Sequence, residues 1–232
     1  LGKEFASHGY PTLLTTTTHI MKPDFLSDES YIENEDLGQL ANIFTNLKKN
    51  TLPLAALGIP EKVVNSNVKW RSPSSDFCKK IAEFSKKFST KNPCEGDGSK
   101  RLPIKLPKDG EPVFFPKTDT VISVIGLSCL GKPIKETLFR YELLPNLTSL
   151  DNYFIKSLQS ADIVTTDFLY RLCLSEKGLR KNITSQKFCI IFNQADILDE
   201  KALAEVITLR NQLQTKGICS HIISVKNNYI IN

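Results

Sequence analysis

Apolar and polar positions follow helical spacing in some stretches of this chain and form short apolar runs in others. Residues 10–16 and 52–57 are apolar runs of strand length, and each is interpreted as a strand. Between them, apolar residues recur at helical spacing and predict an amphipathic helix from about residue 35 to residue 49. Residues 23–35 are polar and acidic and are interpreted as a mobile loop.

Two further helices are predicted from their boundary residues. Residues 1–8 contain helix-forming residues, and Gly9 is a plausible stop. The segment Ser-Pro-Ser-Ser-Asp at residues 72–76 supplies a proline and cap residues for a second helix start. Four apolar side chains follow on one face of that helix and are interpreted as core: Phe77, Ile81, Phe84 and Phe88.

The second half of the chain alternates strand and helix patterns. Residues 120–125 are predicted to form the most clearly buried strand, and residues 188–192 and 218–225 are interpreted as further strands. Helices are predicted at residues 147–158, 166–175 and 197–216. This alternation predicts an α/β fold of three layers, with a mostly parallel sheet flanked by helices. A single domain over residues 1–232 is expected, with a variable loop and helix insertion around residues 23–71.

Composition excludes several functional classes. The net charge of +5 is too mild for a nucleic-acid partner, which would leave a stronger basic footprint interleaved with aromatic residues. No apolar run approaches the roughly 20 residues of a membrane span, so no membrane partner is expected. The six cysteines are scattered without a C-x-x-C pair, which argues against a disulfide framework and a zinc knuckle. A reducing, cytoplasmic location is therefore expected.

Candidate chemistry is concentrated in the segment Glu-Gly-Asp-Gly-Ser-Lys-Arg that begins at Glu95. Glu95 and Asp97 occupy alternate positions, so a strand ending here would point both carboxylates to the same side. Such carboxylates could hold Mg²⁺, and Gly98 could bring its N–H close to a bound anion because it lacks a Cβ. The alternative interpretation is an Asp-Gly turn flanked by charged residues.

A run of four threonines precedes His19. It is either a plain strand edge or a set of hydroxyls at the carboxyl end of a parallel strand, where open α/β sheets bind ligands. In the second interpretation, Thr17 and Thr18 contribute to a cofactor site beside the carboxylates of Glu95 and Asp97.

Both motifs resemble those of the YqeC family, in which the first strand also ends Thr-Thr-Thr-Thr-His-Ile and a Glu-Gly-Asp-Gly loop follows. These are accessory proteins of selenium-dependent molybdenum hydroxylases. The resemblance implies a P-loop NTPase-like fold related to metallocofactor-maturation GTPases. In the family, a glycine-rich loop ending Gly-Lys-Thr comes just before the first helix, whereas no residue precedes Leu1 in this sequence. Nucleotide hydrolysis is accordingly expected only if such a loop lies upstream.

Basic residues follow the acidic segment in a proline-containing loop. Arg101 and Lys105 are candidate ligands for an anionic substrate group, since such charges balance phosphate-like ligands. The alternative is a basic loop that simply faces solvent.

The strand at residues 188–192 runs directly into Asn-Gln-Ala-Asp. GTPases place Asn-Lys-x-Asp here, and the aspartate accepts hydrogen bonds from the N1 and N2 hydrogens of guanine. Asn193 and Asp196 are therefore candidate base-binding residues, while Gln194 replaces the lysine and lacks its charge. The alternative is a strand-end turn in which Asp196 caps the next helix.

Together with the resemblance, these residues imply a protein that binds GTP or ATP with Mg²⁺ and assists maturation of a selenium-dependent molybdenum hydroxylase. Its expected partners are that hydroxylase or its cofactor-maturation proteins, and its oligomeric state is left open. Two alternatives are a non-hydrolytic cofactor carrier or docking protein, and a transferase acting on an anionic molybdenum-cofactor precursor.

Overall fold

The computed structural model of the chain describes residues 1–147 and 162–231. Its internal contacts divide the chain into two compact units. The first unit comprises Leu1–Gly98 and Val113–Lys117, and the second comprises Ser99–Pro112 and Thr118–Asn232. The helix predicted at residues 147–158 lies almost wholly outside the described residues, and the expectation of one domain stays a prediction.

The first unit is built on a four-stranded sheet in which every pairing is parallel. Its strand order is β3-β4-β1-β7. The strands are β1 (Thr12–Thr16), β3 (Tyr31–Ile32), β4 (Leu54–Leu57) and β7 (Cys94–Glu95). The two strands predicted from apolar runs thus lie side by side at the centre of this sheet.

Helices cover both faces of this sheet, which gives the first unit three layers. Leu13 packs in a core cluster with helices α2 (Leu37–Lys48) and α3 (Ser75–Phe88). Leu14 points to the opposite face, because side chains alternate along a strand, and it lies against Gly2 of helix α1 (Gly2–Ser7). The predicted helices therefore form, and they flank a parallel sheet as expected.

A separate three-stranded antiparallel sheet in the first unit has the order β2-β6-β5. Its strands are β2 (Ile20–Met21), β5 (Ile59–Val64) and β6 (Asn67–Arg71). Trp70 of β6 is fully buried, and its Nε1 donates a 2.8 Å hydrogen bond to Glu33. A Cβ at Gly58 would lie 2.3 Å from a Trp70 ring carbon, so glycine is required at that contact.

The second unit contains a four-stranded sheet of order β13-β12-β11-β9. Strands β9 (Thr120–Gly126), β11 (Lys187–Asn193) and β12 (Cys219–Ser224) are parallel, and β13 (Tyr229–Ile231) is antiparallel to β12. A short parallel pair joins β8 (Ile104–Lys105) to β10 (Leu138–Phe139), which follows helix α4 (Ile134–Thr137). The fold class is thus confirmed as α/β with mostly parallel sheets flanked by helices.

The core of the second unit lies on one face of its four-stranded sheet. Ile125, Ile190, Phe192 and Ile222 share that face and pack in one buried cluster with two helices. These helices are α5 (Thr166–Leu174) and α6 (Glu200–Thr215). The alternate residues of the same strands point to the opposite face.

The structure corrects three predictions about individual elements. Strand β9 was expected to be the most clearly buried, but it lies at a sheet edge and leaves Ile122 and Val124 exposed. The segment predicted as a mobile loop at residues 23–35 contains a short 3₁₀ turn and strand β3. The last helix begins at Glu200 rather than residue 197, because a separate 3₁₀ turn occupies Ala195–Ile197.

Among residues 1–147 and 162–231, no helix has the length and apolar character that crossing a membrane requires.

Candidate functional site

The carboxyl ends of β1 and β7 meet in the first unit and form what we call the threonine corner, residues Thr16 to Thr18 with Glu95. Thr16 pairs with Glu95 in the parallel register. The N–H of Thr17 donates a 2.9 Å hydrogen bond to the Glu95 carbonyl. The fully buried Thr16 hydroxyl lies 3.1 Å from both the Glu95 and Thr18 carbonyls and accepts a hydrogen bond from the Thr18 N–H. The structure therefore brings the threonine run and the acidic segment together.

The Thr17 side chain is oriented by a second segment of the first unit. Its hydroxyl donates a 2.6 Å hydrogen bond to the carbonyl of Val113. Since that bond uses the hydroxyl hydrogen, the oxygen of Thr17 keeps lone pairs for accepting or for coordinating a cation. Thr17 is half-buried, as is Thr18, so both remain partly open to solvent.

The predicted acidic residues lie just past this corner. Strand β7 ends at Glu95, so strand alternation does not extend to Asp97 as the sequence suggested. Glu95 is exposed, whereas Asp97 and Gly98 are half-buried. A Cβ at Gly98 would meet nothing within 4 Å, so the position has room for a larger group beside it. By residue type, two carboxylates and a hydroxyl supply the hard oxygen donors that Mg²⁺ prefers.

The basic loop belongs to the second unit, where its Lys105 contacts an acidic partner. Glu111 receives hydrogen bonds from Arg140 through both carboxylate oxygens, and Lys105 Nζ lies 3.1 Å from Glu111 Oε2. Burial would raise the pKa of Glu111, but the hydrogen bonds and charges of Arg140 and Lys105 lower it to about 2. Burial lowers the pKa of Lys105, although Glu111 opposes that change. Arg101 is exposed and has a left-handed backbone conformation, with φ of 68°.

A second group of predicted residues meets at the carboxyl edge of the second unit's sheet, and we call it the base loop: Asn193 to Asp196 with Ser224 and Val225. Asn193 Oδ1 accepts a 3.2 Å hydrogen bond from the N–H of Val225. Asp196 Oδ1 accepts a 2.6 Å hydrogen bond from the Ser224 hydroxyl, which in turn accepts one from the Asn227 N–H. Side-chain hydrogen bonds therefore join the carboxyl end of β11 to the carboxyl end of β12.

Gln194, which stands where GTPases have lysine, has a left-handed conformation with φ of 71°. Its side-chain oxygen lies 3.4 Å from the N–H of Ser128, just after strand β9. A Cβ at Gly126 would lie 2.8 Å from that same oxygen, so glycine at the end of β9 leaves room for it. Gln194 thus joins the ends of β11 and β9.

The structure excludes the alternative in which Asp196 caps the following helix. The N-cap of α6 is Asp199, whose side chain accepts a 2.7 Å hydrogen bond from the N–H of Ala202. Asp196 lies three residues earlier and turns its carboxylate toward Ser224. Its position is therefore not explained by helix capping.

Several residues that shape these sites were not selected from the sequence. Thr16 was part of the threonine run, yet only its burial and hydrogen bonds reveal that it anchors Glu95. Ser224 could have been selected from the Ser-Val-Lys sequence at the end of the last predicted strand, which faintly resembles the Ser-Ala-Lys loop of GTPases. The pairing of Glu111 with Arg140 was not predicted, because the two residues lie 29 positions apart in the sequence.

The first unit also has a shallow cleft, away from the threonine corner. It is lined by α1, β4 and the segment between β2 and β3, with Lys3, Phe25 and Leu54 among its residues. None of the predicted site residues lines it.

Comparison with known proteins gives one match. A family model described as YqeC protein matches residues 1–142, which include the threonine corner, the acidic segment and the basic loop. The base loop lies beyond the matched residues. A search of curated proteins found no match, and neither did a search of solved structures.

Proposed function

Because this chain belongs to the YqeC family, we propose that it is a nucleotide-binding accessory protein for the maturation of a selenium-dependent molybdenum hydroxylase. Its partners in this proposal are the hydroxylase itself or the proteins that mature its molybdenum cofactor. The proposed nucleotide is GTP, and ATP is the alternative. Titration with both nucleotides distinguishes them.

The observation that carries the proposal is the hydrogen-bonded base loop. Guanine presents two adjacent N–H donors, and a carboxylate that accepts from both discriminates against adenine, which lacks that pattern. The Ser224 hydroxyl holds one oxygen of Asp196, while Asn193 holds the turn at Val225. Both contacts reduce the freedom of the groups that would meet the base, and such preorganisation favours binding.

The acidic segment supports a role for Mg²⁺. In the proposal, Glu95 and Asp97 hold the ion directly or through water, and the Thr17 or Thr18 hydroxyl contributes oxygen. When bound, Mg²⁺ would neutralise the charge of a phosphate group held at the threonine corner. The half-buried Gly98 would donate its N–H to an oxygen of that phosphate group. Mg²⁺-assisted hydrolysis is part of the proposal for a native chain in which a glycine-rich phosphate loop precedes Leu1.

Nucleotide titration tests the proposal most directly. The chain with its native N-terminus is titrated with labelled GTP, ATP and XTP, each with and without Mg²⁺. Asp196→Asn is the decisive variant, because xanthine offers an oxygen acceptor where guanine has its N2 donor. We expect this variant to lose roughly 10–150-fold in GTP affinity, the worth of a hydrogen bond to a charged group, and to gain affinity for XTP.

Asp199→Asn is the matched control, since asparagine keeps an acceptor for the α6 N-cap. This variant should leave the order of nucleotide affinities unchanged. Equal loss of GTP and ATP binding in Asp196→Asn would contradict guanine recognition. A folded native chain that binds no nucleotide would favour the non-hydrolytic carrier. Loss of precursor binding in Arg101→Ala with nucleotide binding intact would favour the transferase.

A further inference from the structure

Two cysteines and a histidine lie together on the second unit's sheet. The nucleotide proposal assigns no role to any of the three. Cys189 of β11 and Cys219 of β12 are direct neighbours in the parallel register. His221 lies two residues after Cys219, so its side chain points to the same face of the sheet. Strand pairing therefore places three ligand-type side chains side by side, although the two cysteines are 30 residues apart in sequence.

The distances within this cluster are close to those of a metal site. The Cys189 and Cys219 sulfurs are 3.1 Å apart, and Cys219 Sγ lies 3.5 Å from His221 Nε2. All three ligand atoms lie within 4.8 Å of one another. Tetrahedral Zn²⁺ with bonds of about 2.3 Å to sulfur and 2.0 Å to nitrogen separates two sulfurs by about 3.8 Å, and sulfur from nitrogen by about 3.5 Å. The distance from Cys219 to His221 already matches, and the two sulfurs need to separate by well under an ångström.

The cluster is accessible from solvent. Cys219 and His221 are exposed, and Cys189 is half-buried. The core helices α5 and α6 pack on the other face, where Ile190 and Ile222 point. A metal held by three protein ligands here would keep its fourth position open, the arrangement typical of catalytic or exchangeable sites rather than of closed structural ones.

We propose that Cys189, Cys219 and His221 bind one thiophilic d¹⁰ cation, Zn²⁺ or Cu⁺, through two thiolates and Nε2. Thiolate and imidazole ligands select such ions over Mg²⁺ or Ca²⁺. Each thiol releases its proton to solvent as its metal–sulfur bond forms. The fourth position takes water or an exogenous ligand. The site is independent of the nucleotide proposal, since it shares no residue with the base loop or the threonine corner.

The experiment uses the full chain, reduced and handled without oxygen. Titration with Co²⁺, a spectroscopic substitute for Zn²⁺, should give a thiolate-to-cobalt charge-transfer band that saturates at one ion per chain and disappears on addition of Zn²⁺. Titration with Cu⁺ against a competing chelator distinguishes the two cations by their affinities. Cys219→Ser and His221→Gln should each weaken binding beyond the roughly 10–100-fold typical of outer-shell changes.

The controls are matched by residue type. Cys94→Ala removes a cysteine outside the cluster, and His8→Gln removes an exposed histidine, so both should keep the band and its stoichiometry. Circular dichroism of each variant verifies that it folds. Since Cys219 and His221 are exposed, replacing them should not disturb the fold. The proposal is overturned if the reduced chain binds neither cation, or if the cluster variants bind as the wild type does. A Cys189–Cys219 disulfide in a chain that binds no metal after reduction would equally overturn it.

Discussion

The Ser224 hydroxyl lies 2.6 Å from Oδ1 of Asp196 and donates its hydrogen to that carboxylate. Ser224 is almost fully buried and also accepts from the Asn227 N–H, so it connects the aspartate to the turn after β12. The base loop therefore depends on a side chain that need not touch the nucleotide.

Removing that hydroxyl should weaken guanine nucleotide binding. Ser224→Ala deletes one hydrogen bond to a charged group, and we expect the Kd for GTP to rise about tenfold, near the lower end of what such bonds contribute. The measurement is a GTP titration of the native chain. Ser220→Ala is the control, because Ser220 is a buried serine of the same strand that contacts Arg210 instead. Equal effects of both variants would mean that general stability, not the base loop, is responsible.

Gly98 offers a test of anion contact that leaves the fold intact. A Cβ at this position meets nothing within 4 Å, and its φ lies outside the left-handed range, so Gly98→Ala should have an unchanged free energy of unfolding. If the Gly98 N–H contacts a phosphate, the added methyl should crowd it and reduce nucleotide affinity severalfold. Titration with and without Mg²⁺ measures the change. An unaltered affinity would remove Gly98 from the proposed site.

Gly58, unlike Gly98, has no room for a side chain. A Cβ there would lie 2.3 Å from Trp70 Cε3, and Trp70 is fully buried and cannot easily move. Gly58→Ala should therefore lower the free energy of unfolding by about 1–3 kcal/mol, the usual cost of overpacking a core. Chemical denaturation followed by circular dichroism gives the value, with Gly98→Ala as the comparison. A change below about 0.5 kcal/mol would show that the ring can yield.

The Glu111 ion pairs should make stability depend on pH in the acid range. The folded pKa of Glu111 is about 2, against an ordinary value of 4.5. A lowered carboxyl pKa contributes stability that is complete above about pH 4.5 and is lost as the pH falls toward 2. This contribution amounts to at most roughly 3 kcal/mol.

Glu111→Gln removes this carboxylate and should flatten that part of the pH profile, because glutamine does not titrate. The variant should also be less stable than the wild type at neutral pH, since Arg140 and Lys105 lose the charge that faces them. Unfolding measured between pH 2 and pH 7 compares the two chains. Glu136→Gln alters an exposed carboxylate and serves as the control. If the stability of wild type and of Glu111→Gln changed with pH in parallel, Glu111 would not be the source of the acid dependence.

The helices of the first unit and the two central strands of its parallel sheet, β1 and β4, could be predicted because their local patterns agree with their tertiary positions. In α3, the cap at Ser74 and the apolar face with Phe77 and Ile81 both point to the observed helix. Strand burial was less predictable. Strand β9 has the composition of a central strand, but its place at the edge depends on strand order, which no local pattern encodes.

Some contacts in the candidate sites could likewise be predicted from the sequence, and others could not. Thr17 and Glu95 could be associated from sequence, because Thr17 directly follows one strand, Glu95 ends another, and parallel strands end at one edge of a sheet. The cap of α6 is Asp199 rather than Asp196, and this was not predicted because the helix was expected to begin at residue 197. The contact of Cys189 with Cys219 was also hidden, because it arises from the register of two separate strands.

The buried Trp70 is the chain's one tryptophan, and it belongs to the first unit. Intrinsic emission excited at the indole will therefore follow the unfolding of that unit alone. A cobalt-loaded chain would provide an optical signal confined to the second unit. Comparing the two signals across one denaturation curve would reveal whether the units melt together or one after the other.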